Sequence, residues 1–131
     1  MNLFPLLNLS LPELKPEECK VHLAQGNNSE PLDLFYSGEF EAWQSTQTQK
    51  NFGRPFVISL IQLPQKNQWL FAGCFRSLSV SQDKSNGYWT YETEELAEGS
   101  ELVGRLVIDF QRSALATQQK LTASLIHHLE N

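Results

Sequence analysis

No stretch of this chain is apolar for anything near 18 residues, so no transmembrane helix is expected from it. Basic residues are missing ahead of the apolar start at residues 1–9, which therefore lacks the n-region of a signal peptide; a cytoplasmic protein is expected. Cysteine is limited to Cys19 and Cys74, too few for a disulfide framework, so two reduced thiols are expected. Histidine is limited to His22, His127 and His128, and the last two are adjacent, a poor spacing for a metal pair on one helix face. There is no GxGxxG, Walker or GxSxG sequence. These absences leave no residue to assign to catalysis, a cofactor or a metal, and a non-enzyme is expected. Glu92, Glu94, Glu95, Glu98 and Glu101 read as a solvated acidic connection.

One further absence is local. Residues 42–82 contain no acid, only Lys50, Arg54, Lys66 and Arg76. The charge is −5 over residues 1–41, +4 over 42–82 and −4 over 83–131, which together give the chain's −5. Such a block either forms one electropositive face or is core strand, where charges are scarce anyway.

What is present fits one domain of 131 residues with ample apolar material for a core. Ser10, Pro12 and Glu13 suggest a short helical start that Lys15-Pro16 ends. Residues 20–23 alternate like a strand, and Pro31 opens a helix that Gly38 weakens. Phe56–Leu63 is the clearest buried strand, stopped by Pro64. Residues 69–80 form the next strand, with Gly73 marking a bulge or close approach. Asn86-Gly87 signals a hairpin into a strand over 88–93. A further strand is predicted over 102–110, with Gly104 near its start. Leu115, Leu121, Leu125 and Leu129 predict a C-terminal helix over 113–129. The fold class expected is α+β: a curved antiparallel sheet or small barrel with short N-terminal helices and a C-terminal helix.

Aromatic residues carry the functional signal. Trp43, Phe52, Trp69, Phe75, Tyr88, Trp89 and Tyr91 interleave with Lys50, Arg54 and Arg76. Rings beside bases are how proteins stack on nucleobases while holding phosphates. Gln44, Gln47 and Gln49 add amides able to pair with a base edge. Each ring taken singly has a core role as its ordinary alternative.

The series Glu41-Ala42-Trp43-Gln44, Gln47 and Lys50-Asn51-Phe52 resembles a segment that precedes GIY-YIG nuclease domains in bacterial proteins. So do residues 56–61, Trp69-Leu70-Phe71-Ala72-Gly73 with Phe75-Arg76, and residues 102–108 with Phe110 and Arg112. The resemblance covers roughly residues 40–112. It implies a PUA-like barrel of the kind that reads modified bases, linked to a nuclease. No GIY or YIG tripeptide occurs in this chain, so no catalytic residue is carried over. Residues 1–131 are then expected to be the N-terminal domain of a longer GIY-YIG-type protein or a stand-alone relative.

The expected function is a non-catalytic nucleic-acid-binding module that recognises a modified or flipped base. Lys50, Arg54 and Arg76 would contact phosphates of DNA or RNA. Trp43, Phe52 and Trp89 would stack on the base, and Gln44 and Gln47 would read its edge. The alternative is a protein-interaction or dimerisation domain without nucleic-acid contact.

Overall fold

The computed structural model describes residues 7–8, 11–25, 30–47, 52–65, 68–111 and 122–128. A single turn of 3-10 helix, Pro16–Glu18, leads into β1 (Cys19–Ala24). Two short helices follow, α1 (Glu30–Ser37) and α2 (Phe40–Ser45), then the two-residue β2 (Thr46–Gln47). The remaining elements are β3 (Phe56–Gln62), β4 (Gln68–Gln82), β5 (Trp89–Glu95), a 3-10 turn Ser100–Leu102, β6 (Leu106–Gln111) and β7 (Thr122–His128).

All seven strands belong to one curled, open sheet. Its path runs β1-β3-β4-β5-β2, and β6 leaves β4 to pair with β7. The β1–β3 pair is parallel and the others are antiparallel. The α+β class is as expected from the sequence.

Strand β4 organises this sheet. One of its edges pairs with β3 from Trp69 to Arg76. Its other edge pairs with β6 over Gln68–Leu70 and with β5 from Phe75 onward. Between those partners the chain from Leu96 to Arg105 bridges the gap. Leu96 N–H donates to Cys74 O at 2.8 Å, and Gly104 N–H donates to Phe71 O at 2.9 Å. Edge groups that would otherwise lack a partner are thereby satisfied.

The register slips where β4 changes partner. Ser59 pairs with Gly73 and Leu60 with Phe71, which leaves Ala72 as the extra residue of a bulge at Gly73 (φ 140°). The extra residue shifts the side-chain alternation by one. Trp69, Phe71 and Cys74 share one face, while Leu70, Ala72 and Phe75 take the other. Both faces are covered. Leu7, Leu11 and Leu14 close the first over Val21, Ile58, Leu60 and Phe71. Helices α1 and α2 close the second over Ile61, Leu70 and Val107. Burial on both faces explains why β3 reads as a continuous apolar run rather than an alternating one.

Several local predictions hold. Helix α1 stops where Gly38 takes φ 83°. The Asn86-Gly87 turn forms, with Gly87 at φ 76° donating to Asp83 O at 2.7 Å. Asn86 Oδ1 accepts the Tyr88 N–H at 2.9 Å. Lys15 is extended ahead of Pro16 (φ −113°, ψ 134°), ending the preceding turn as expected, and Pro16 itself opens a new 3-10 turn, because its missing N–H is unneeded at a first helical position. One boundary needs correction. Strand β6 starts at Leu106, after a 3-10 turn that occupies the start of the predicted 102–110 strand.

The largest correction concerns the C-terminus. Residues 122–128, expected to be helical, form β7 antiparallel to β6. Strand β6 pairs with β4 along only three residues and leaves its other edge open for a partner. A ladder of backbone bonds outweighs the four-residue leucine spacing, aided by the β-branched Thr122 and Ile126. Residues 112–121 and 129–131 lie outside the described residues. No helix among the described residues is long and apolar enough to cross a membrane.

Candidate functional site

The side chains of Lys20, His22 and Ala24 point away from the face that carries Val21 and Leu23. His22 pairs in register with Ser59 of β3, so both side chains rise under the helical layer. Ser59 is a lone hydroxyl inside an apolar strand, fully buried. Such a group requires a partner. Helix α2 supplies one from above: Gln44, itself 0% exposed. Its Oε1 lies 2.7 Å from His22 Nδ1 and accepts the Ser59 hydroxyl. Its Nε2 is buried with no hydrogen-bond partner. The result is a polar cluster inside the core with one amide donor unspent.

Aromatic rings wall this cluster. Trp43 stacks on His22 with centroids 6.3 Å apart and planes 24° apart. Phe52 meets the same imidazole edge-on at 5.2 Å. Phe52 also packs on Tyr91 at 4.8 Å and donates its N–H to the Tyr91 hydroxyl at 3.1 Å. Burial pushes the His22 pKa below its usual value, against the hydrogen bond to Gln44, which raises it. The imidazole is therefore held neutral at neutral pH. Both His22 and Ser59 end on the same amide oxygen. That wiring ties Ser59 Oγ to Gln44, not to the imidazole that would activate a nucleophile.

The residues singled out from the sequence divide into two groups. Trp43, Gln44 and Phe52 converge on His22. Gln47 adjoins them, donating from Nε2 to Gln44 O at 2.6 Å, and sits in register with Trp89. Trp89 is half-buried against the cluster of Phe52, Val57, Phe75 and Tyr91. Gln44 and Phe52 are buried, and Trp43, Gln47 and Trp89 are partly exposed. Of the bases singled out, the two among the described residues make their contacts elsewhere. Arg54 Nη1 donates to Pro16 O at 3.2 Å and Cys19 O at 2.9 Å, tying the approach to β3 onto the start of β1. Arg76 lies over the Phe56 ring, its guanidinium carbon 5.8 Å from the centroid, and pairs in register with Glu94. Lys50 and Lys66 lie outside the described residues.

A single basic concavity does not follow from the acid-free block, because strand pairing brings acids from other segments beside it. Glu94 faces Arg76 across the ladder, and Glu13 and Glu98 line the same cleft as Arg76. His22 and Ser59 belong to no motif. Their only trace in the sequence is a serine in the middle of an apolar strand and a histidine at an alternating position.

A cleft of about 160 Å³ holds Glu41 and Glu95 among Phe35, Phe40 and Phe75. Burial first, then the Glu41 charge, raises the Glu95 carboxyl above its usual value. A raised carboxyl stabilises the fold only while protonated, and that contribution is lost as pH rises through the folded value. Glu95→Gln is therefore expected to raise Tm at pH 7, with the gain shrinking as pH falls below the ordinary carboxylate range. A Tm difference that stays constant from pH 3 to pH 8 would refute this account. The thiols are inert by the same physics: burial lifts Cys19 to about 11 and Cys74 to about 12. No group of three His, Cys, Asp or Glu side chains able to hold a metal occurs among the described residues.

Comparison with protein-family models, curated proteins and solved structures gave no match for this chain.

Proposed function

We propose that the domain is a non-catalytic nucleic-acid-binding module that recognises a base through the Trp43–His22–Phe52 aromatic group and the Gln44 amide. The observation that carries this reading is the unpartnered Gln44 Nε2, buried among rings that three separate segments bring together. Aromatic faces with a directed amide donor are the chemistry used to hold an unstacked or flipped base. Trp43, partly exposed on α2, is the ring through which a base would enter. The resemblance to the segment before GIY-YIG nucleases agrees with this reading and would make the domain a targeting module for a linked nuclease.

Phosphate contacts contribute little in this scheme. Arg54 hydrogen-bonds two backbone carbonyls, and Arg76 lies among acids. Binding is expected to weaken with salt at a log–log slope no steeper than about −2. Trp43→Ala should cost roughly 1–3 kcal/mol of affinity at every salt concentration and leave the slope unchanged. Fluorescence anisotropy with labelled single-stranded and duplex oligonucleotides, unmodified and base-modified, at two salt concentrations measures both. A folded domain that binds none of them at low salt overturns the proposal. The protein-interaction alternative draws on a separate observation: Leu78 (49%), Val80 (38%) and Tyr88 (44%) are exposed along the β4–β5 hairpin. Concentration-dependent sedimentation of the same sample would favour it.

A further inference from the structure

The base-reading group leaves Arg76 unexplained, and this side chain faces a different concavity. A cleft of about 230 Å³ opens between the N-terminal segment, β3, β4 and the turn after β5. Its floor is apolar, built from Leu14, Phe56 and Leu96. Three charges stand around it: Arg76, Glu13 and Glu98, all on exposed residues. The Phe56 ring under the Arg76 guanidinium holds the cation at the cleft. Among the described residues no hydrogen bond or ion pair engages that guanidinium. The cleft's outline is fixed by packing. Gly99 takes φ 80°, and a Cβ there would stand 3.1 Å from the Leu11 side chain, so the turn sits directly on the N-terminal segment.

We infer that this cleft binds a free α-amino acid with an apolar side chain. The charges select the class. One guanidinium against two carboxylates leaves the rim net negative, which disfavours phosphates and simple carboxylates. A zwitterion carries no net charge and satisfies both signs: its carboxylate takes the planar fork of Arg76, and its ammonium takes Glu13 and Glu98. The apolar floor receives the side chain. The volume is below the roughly 300–1,000 Å³ of sites for drug-sized ligands, which limits the occupant to a small molecule. The inference is independent of nucleic-acid binding, since none of these residues belongs to the His22 cluster.

The test is isothermal titration of the whole chain with L-leucine and L-phenylalanine. Three truncated probes accompany them: 4-methylpentanoate, which lacks the ammonium; 3-methylbutylamine, which lacks the carboxylate; and glycine, which lacks the side chain. Leucine or phenylalanine should bind saturably, each truncated probe at least about tenfold more weakly. Arg76→Gln, at an exposed position, should weaken leucine about tenfold or more while lowering the ligand-free Tm by no more than the few degrees that loss of its contact with Phe56 implies. Amide shifts on adding leucine should centre on residues 11–14, 56, 76 and 96–98. The inference is overturned if neither amino acid binds. It is equally overturned if 4-methylpentanoate binds as well as leucine, if the folded Arg76→Gln variant keeps full affinity, or if the shifts fall elsewhere.

Discussion

Gly73→Val is expected to lower unfolding stability by about 3 kcal/mol or more, enough to unfold a marginal domain. Gly73 sits at φ 140°, a conformation closed to β-branched residues. A Cβ there would stand 3.1 Å from the Phe75 ring and 3.3 Å from Glu95 Oε1. The Phe75 ring does not retreat easily, because it is buried in its own cluster with Phe52, Val57 and Tyr91, whereas the exposed Glu95 side chain can swing aside. The bulge at this glycine also decides which residues of β4 face which layer, so flattening it would move Cys74 and Phe75 to the wrong sides. Gly104→Val should act in the same direction, since φ is 74° and a Cβ would lie 3.3 Å from the Phe35 ring. Gly53→Ala is the control, with nothing within 4 Å of the added carbon. Urea titrations of the three variants check this. A Gly73→Val midpoint matching that of Gly53→Ala would show that the bulge carries no constraint.

Gln44→Leu is expected to cost about 2 kcal/mol, even though leucine suits an apolar surrounding better than an amide does. The substitution removes an unpartnered donor, which is favourable. It also strips the acceptor from two donors, the partly buried His22 Nδ1–H and the fully buried Ser59 hydroxyl, and that loss is the larger. Adding Ser59→Ala to Gln44→Leu should recover about 1 kcal/mol, because one stranded hydroxyl is then gone. Thermal and urea unfolding of the two single variants and the double variant form a complete cycle. Strict additivity would mean that the cluster is not a unit. In that event the Gln44 amide would lose its standing as a directed group in base recognition.

The same cluster shows how far residue types reach. Trp43, Gln44 and Phe52 are legible as unusual in a polar stretch, and the structure brings all three to one imidazole. His22 itself is illegible, because its role depends on the parallel pairing of β1 with β3, some 37 positions apart by the register of His22 on Ser59. The reading of Arg54 as a phosphate contact met the reverse difficulty. Its hydrogen bonds go to carbonyls of the Pro16–Cys19 turn, and that proximity exists only after β1 has docked on β3. Charge is the least transferable signal of all. Acids absent from residues 42–82 return beside Arg76 through β5 and the N-terminal segment.

By itself the sequence determined the elements whose cause is local. Gly38 ends α1 through its left-handed backbone, Asn86-Gly87 turns the β4–β5 hairpin, and Pro64 stops the chain just past β3, because each acts within a few residues. The apolar run of β3 likewise announced a buried strand. The tertiary structure alone decided what depends on a partner distant in the chain. It made residues 122–128 a strand, because the open edge of β6 offers backbone bonds that a helix at that place could not complete. It placed Gln44 inside, because only the layering of α2 on β1 and β3 creates the two donors that hold it there. It also curled the sheet, because β4 is long enough to change partners at a bulge and a local pattern cannot say what it will meet on either side.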